Sequence, residues 1–404
     1  MMEVNKNQMA TSVISDNVRR IASIDIFRAL TMFLMIFVND LWSVSGVPHW
    51  MEHAAFDEDM LGLSDLVFPS FLFILGMSIP LAIEKRLAKG ESKASIVKHI
   101  FIRSFALLVM GLFSVNSGSG LSDTVGISKP IFSLVMVICF FIIWNNYPKT
   151  GSSIHKNIQL VMKIIAAIVL IIFAIIYRDP SGGYFQPRWW GILGLIGWTY
   201  LLCALIYLLF RKRKYGLILS GLFFVLLCIA GSNKWLGIFS GIIPSNGCFH
   251  AFTMAGLLLS LVMTQADSKL DVKRKIMYSA IIGIIFIIAG WISNKWWIIS
   301  KLQETPPWLF YCTGISILFY LFIYWLTDIK DNARLFNIIK PAGTSTLTCY
   351  LIPSILYAIF TLVGFSKISF ASEGITGLIK CVCFSFIVVG ITALLRKVNI
   401  KLKI

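Results

Sequence analysis

Two histidines, an asparagine and a run of carboxylates fall within one short stretch of this chain. Asn39 and Asp40 stand side by side, and residues 47–59 read Val-Pro-His-Trp-Met-Glu-His-Ala-Ala-Phe-Asp-Glu-Asp. Asp65 follows in Asp-Leu-Val-Phe-Pro. The 47–59 segment holds His49 and His53, two of the chain's five histidines, and no lysine or arginine. A histidine titrates near neutral pH, so beside an orienting carboxylate it can serve as a base, while an amide such as Asn39 holds a polar ligand. Asp40 or Asp65 supplies the carboxylate. A metal site is the competing chemistry, but no His-Glu-x-x-His or comparable spacing is present, and no metal is assigned. His53 taken alone also fits an ordinary interfacial histidine. Asp65 also fits a helix start, where a carboxylate meets the helix dipole.

Other polar groups lie where polarity is costly. Asp25 and Arg28 are three apart, on neighbouring positions of one helix face, as a local ion pair or as part of a basic mouth. Arg103 sits in Ile-Arg-Ser-Phe. It either snorkels to an interface or joins Arg28 in accepting phosphates. His250 lies beside Asn246 and Cys248. Residues 294–308 carry Lys301, Glu304 and three tryptophans, Trp308 among them. Tryptophans at this level anchor a membrane interface, and with a carboxylate they also suit a sugar.

The elements that must carry these groups follow from composition. Of 404 residues, 57% are hydrophobic and 14% charged, and the mean hydropathy is +0.82. Soluble chains are about 25% charged, so a water-soluble globule, a disordered chain and a secreted disulfide scaffold are excluded. The fold class is all-α, a polytopic membrane bundle. A crossing takes about 20 apolar residues. Twelve segments qualify: 24–44, 65–84, 98–116, 130–147, 158–177, 189–210, 214–231, 247–266, 275–293, 308–327, 343–365 and 374–395, the fourth and seventh being short. Asn39 and Asp40 then lie roughly 17 Å beyond Arg28 along the first helix.

The connecting segments alternate in charge. Twenty-five lysines and arginines fall on one side and seven on the other. The positive-inside rule puts the rich side, with both termini, in the cytoplasm, and the His53 loop outside. The same rule accounts for the net charge of +17 without a nucleic-acid partner. None of the eight cysteines forms a Cys-x-x-Cys pair, and the polar N-terminus lacks the features of a signal peptide. The expected organisation is a cytoplasmic tail (1–22), a transmembrane domain (23–396) and a second tail (397–404).

Ser23-Ile-Asp-Ile-Phe-Arg, Phe37-Val-Asn, Glu52-His and Leu63-Ser-Asp-Leu-Val-Phe-Pro-Ser occur in order, followed by Ile74-Leu-Gly-Met-Ser. Over about 60 residues this resembles heparan-α-glucosaminide N-acetyltransferase and its bacterial, NagX-like relatives. Ile102-Arg-Ser-Phe, Gly191 to Tyr200, Lys301 to Gly314 and Pro341 to Tyr350 look similar as well. The resemblance implies an acetyltransferase in a bacterial inner membrane. Acetyl-CoA would bind from the cytosol and an amino-sugar acceptor such as glucosamine from outside. It implies His53 as the catalytic histidine, with Asn39 and Asp65 beside it, and Asp40 is the alternative carboxylate read from the residues themselves. Arg28, Arg103 and Ser70 would hold acetyl-CoA, and His250, Glu304, Lys301 and Trp308 the acceptor. Membrane lipids and a homodimer are the implied partners. The chain departs from the eukaryotic enzyme in lacking its lumenal domain, in two additional spans (130–147 and 158–177), in Ala29 after Arg28, and in Asp40 after Asn39. An amino-sugar permease, or an O-acyltransferase acting on a lipid or glycan, is the alternative reading.

Overall fold

The computed structural model describes residues 22–147, 153–237, 246–264, 271–365 and 372–402. A helix forms over each of the twelve apolar segments: α1 (Ala22–Asp40), α2 (Leu63–Ala88), α3 (Lys93–Gly118), α4 (Lys129–Trp144), α5 (Ser153–Ile176) and α6 (Ile192–Phe210). They continue as α7 (Lys214–Ser232), α8 (Cys248–Thr264), α9 (Val272–Ser293), α10 (Pro306–Tyr324), α11 (Thr346–Leu362) and α12 (Gly374–Lys397). Helix is the natural answer to an apolar solvent, because every backbone donor finds its acceptor within the same segment. The described residues contain only isolated bridges, such as Ser45 with Glu373, and no strand.

Among the described residues, nine helices are long and apolar enough to cross a membrane. Helices α4, α8 and α11 are apolar but shorter, at 16, 17 and 17 residues. The seventh segment, expected to be short, runs to 19 residues. The eleventh is divided: Lys340–Thr344 forms a separate helical turn, and Ser345 leaves helical geometry before α11 begins. That turn packs on α1 and α12, and a Cβ on its Gly343 would come within 2.6 Å of the Asp25 carbonyl. The expected N-terminal tail lies outside the described residues, as do Lys6, Arg19, Arg20, Lys149, Lys269, Lys367 and Lys403.

Helix α2 is the hub. Its most apolar stretch is 78% buried, against 17% for α5 and 22% for both α7 and α9, which turn large apolar side chains outward. Helix α2 packs most extensively on α8, α3 on α6, and α9 on α10. At the α2–α8 crossing, a Cβ on Gly76 would sit 1.9 Å from the Thr253 carbonyl oxygen, and one on Gly256 would sit 1.9 Å from that of Phe73. Only hydrogen fits at either position. Close backbone approach of this kind holds helices together where lipid removes the hydrophobic drive for association. The crossing makes α2 a rigid base for the polar residues at its N-terminal end.

Candidate active site

Asp65 occupies the third position of α2, and its side chain does not cap that helix. It reaches instead to the 44–62 loop. His53 Nδ1 lies 2.6 Å from Asp65 Oδ1, and the Ala54 N–H donates to Oδ2 at 2.9 Å. The carboxylate is 2% exposed while the His53 side chain is 49% exposed. A buried acceptor therefore fixes one edge of the ring and leaves Nε2 without a partner among the described residues. With Nδ1–H donating to Asp65, Nε2 carries the lone pair.

Lys301 enters from the loop between α9 and α10. Its Nζ stands 3.3 Å from His53 Nδ1 and 3.6 Å from Asp65 Oδ1. Nδ1 cannot donate to Asp65 and accept from Lys301 at once. The 2.6 Å contact identifies the donor role, so the ammonium serves as counter-charge to the carboxylate. Burial pushes Lys301 below the usual lysine range, and the Asp65 charge opposes that push.

Two loops are tied together to make this arrangement. Asp59 accepts from the Ile299 N–H at 2.7 Å and from Asn294 Nδ2 at 3.1 Å. Gln303 Nε2 donates to the Phe56 carbonyl at 2.8 Å. Within the first loop, Ser64 Oγ donates to the Met51 carbonyl at 2.6 Å. His49 pairs with Glu58 and lies 3.6 Å from Glu52. The hydrogen bond to Glu58 raises the His49 pKa, and the Ala55 N–H does most to lower that of Glu58. Gly62 is required where the loop meets α2, since a Cβ there would fall 2.0 Å from the Glu52 carbonyl oxygen.

Trp308 is fully buried, and its indole N–H donates to the Asp65 backbone carbonyl at 3.2 Å. That carbonyl is free because residue 69, four positions on, is proline and has no N–H to offer. The expectation that Trp308 contacts an acceptor is corrected: the indole is inside the bundle, supporting Asp65. His250 is corrected likewise. It is fully buried, stacked on Phe224 at 4.9 Å, and neither ring nitrogen has a hydrogen-bond partner among the described residues. Glu304 accepts from the Asn246 N–H at 3.0 Å and holds a left-handed backbone (φ 53°), so its carboxylate shapes the loop.

The remaining expected residues separate. Asp40 is buried and accepts from the Tyr357 hydroxyl at 2.8 Å, so Asp65, not Asp40, orients His53. Ser70 donates to the Leu66 carbonyl at 2.9 Å and lies 3.0 Å from Ser316 Oγ, within the α2–α10 contact. Arg28 is held by Asp25 at 3.1 Å and Ser78 at 2.6 Å. Arg103 instead lines a cavity of about 210 Å³ with Met35 and Tyr350, its guanidinium 4.5 Å above the Tyr200 ring. Its Nε is buried without a hydrogen-bond partner among the described residues. Asn39 lines a second cavity of about 130 Å³ with Met35, Tyr350 and Tyr357. Met35 and Tyr350 border both cavities, so the two are neighbours, one at Arg103 and one at Asn39. Arg28 and Arg103 thus have different neighbours among the described residues.

No group of three or more histidine, cysteine or acidic side chains able to hold a metal occurs among the described residues. Residues 20–253 match the family described as domain of unknown function (DUF5009), more than half of the chain. The chain belongs to the DUF5009 family. The DUF5009 segment carries Asn39, His53, Asp65 and Arg103, whereas Lys301 and Trp308 come from outside it. The chain is also similar to human heparan-alpha-glucosaminide N-acetyltransferase, at 39% identity over 110 residues, 27% of this chain and 16% of the human protein. The mouse protein of the same name is 39% identical over 98 residues, 24% of this chain and 14% of its own length. The match thus spans about a sixth of these relatives.

The pairing of His53 with Asp65 is missing from any local pattern, since the two stand twelve positions apart, one on the loop and one on the helix. The Pro69–Trp308 relationship had one sequence signal, a proline four residues after an aspartate on an apolar helix.

Proposed function

We propose that this chain is a membrane acetyltransferase, taking the acetyl group of cytosolic acetyl-CoA and passing it to the amino group of glucosamine or a related amino sugar at the outer face. One observation carries the reading: a half-exposed imidazole whose Nδ1 is held at 2.6 Å by a buried carboxylate and whose Nε2 is open. The similarity to N-acetyltransferases supports the same chemistry. The distribution of lysine and arginine supports an orientation with the Arg103 end of the bundle at the cytoplasmic face and His53 outside, and the resemblance to bacterial relatives supports a bacterial cytoplasmic membrane.

Acetyl-CoA is polyanionic, so its nucleotide stays at the basic inner face. The neighbouring cavities at Arg103 and Asn39, which share Met35 and Tyr350 as walls, support a path for the pantetheine arm between those helices. The acceptor amine attacks the thioester carbonyl, forming the N–C bond as the C–S bond breaks. His53 Nε2 takes the proton that the amine loses and returns it to the departing thiolate, while Asp65 steadies the imidazolium. The Asn39 amide donates to the carbonyl oxygen as negative charge develops. Transfer through an acetylated His53 uses the same groups in two steps.

The test is purified protein in liposomes, supplied with radiolabelled acetyl-CoA and glucosamine. N-acetylglucosamine formed by the wild type and not by His53→Ala supports the proposal. Label reaching neither sugar nor protein, while free glucosamine still crosses the bilayer, replaces it with a permease.

A further inference from the structure

A cavity of about 390 Å³ lies between α7, α8, α9 and α10, and neither His53 nor Arg103 is among its lining residues. Its walls are apolar except for Lys214, Ser279 and Thr313, and the Thr313 hydroxyl already donates to the Leu309 carbonyl at 2.8 Å. The α7 wall runs from Lys214 to Val225 and the α8 wall back from Val262 to Ala251, eleven residues each. At 1.5 Å per residue that is about 16 Å, close to half the ~30 Å hydrocarbon thickness of a bilayer. The crevice therefore extends about 16 Å inward from its Lys214 end, room for a stretch of one acyl chain. It opens sideways, because Leu222 on its α7 wall is 53% exposed.

The mouth is basic. Arg211 is neutralised by Glu84 through two 3.0 Å hydrogen bonds. Lys212, Arg213 and Lys214 follow it, and none has a carboxylate partner among the described residues. An apolar slot about 16 Å long, headed by cations that have no carboxylate partner among the described residues, matches an anionic diacyl phospholipid, one chain in the slot and the phosphate at Lys214.

We propose that the α7–α10 crevice is a binding site for an anionic phospholipid. The site is independent of acetyl transfer. Intact protein is equilibrated in micelles doped equally with phosphatidylglycerol and phosphatidylcholine of the same chains, then weighed by native mass spectrometry. The wild type is expected to retain one phosphatidylglycerol per chain, at least about fivefold over phosphatidylcholine. Lys214→Glu brings the two lipids to parity. Gly221→Leu fills the slot and removes both; an added Cβ there meets only Leu258 and Met254, at 3.6 and 3.7 Å, so the fold accommodates it. Equal retention of the two lipids by the wild type overturns the proposal. So does undiminished retention by Gly221→Leu, or a doubled mass without lipid, which would mean that a second copy covers the crevice.

Discussion

The Trp308 indole N–H bonds to the Asp65 carbonyl at 3.2 Å, the acceptor that Pro69 leaves without a helical donor. A helix break and a buried aromatic thereby become one device for holding a carboxylate in place. Trp308→Phe keeps most of the volume and removes the donor. The orphaned carbonyl should cost about 1–3 kcal/mol, read as a lower melting temperature in detergent. Acceptor KM should stay unchanged. A raised KM with an unchanged melting temperature would return Trp308 to the acceptor's surface.

Asp65→Asn preserves shape and removes the charge that sets the His53 tautomer. Under the acetyl-transfer reading kcat should fall by roughly 10²–10⁴, with acceptor KM little changed. The liposome assay measures both. A loss of less than about tenfold would show that His53 works without its carboxylate.

Lys301 should give the reaction an alkaline limit. Burial lowers its pKa, so its charge is lost as pH rises at values below the free-lysine value of about 10.4. Activity should decline through that range as Asp65 loses its counter-charge. Lys301→Arg should carry the limb to higher pH, because guanidinium stays protonated. Superimposable profiles for the two proteins would remove Lys301 from the site's electrostatics.

Asn39 and Asp40 are neighbours with opposite expected effects. Asn39 lines the small cavity, and Asn39→Ala should lower kcat by about 10²–10³ if its amide stabilises the developing oxyanion. Asp40→Asn keeps an acceptor for Tyr357 and should change kcat by no more than about threefold, the effect of one retained neutral hydrogen bond. Reversal of this order would move the polar centre onto α11.

Much of the architecture was legible without coordinates, since each apolar run must satisfy its own backbone and so declares itself locally. Segment 343–365 was the exception, because its break at Ser345 comes from packing of the preceding turn against α1. The residues of the site were legible as types: a histidine, an asparagine and carboxylates between two apolar helices. Composition and spacing alone determined an all-helical, membrane-crossing chain with a polar cluster after its first helix. Tertiary structure decided which carboxylate meets His53, and it brought Lys301 across 248 positions to the same point. It also withdrew Trp308 and His250 into the bundle and sent Arg28 and Arg103 to different neighbours. Hydropathy is a sum over near neighbours along the chain, whereas a side chain's partner depends on helix crossings set by residues such as Gly76 and Gly256, far from it in sequence.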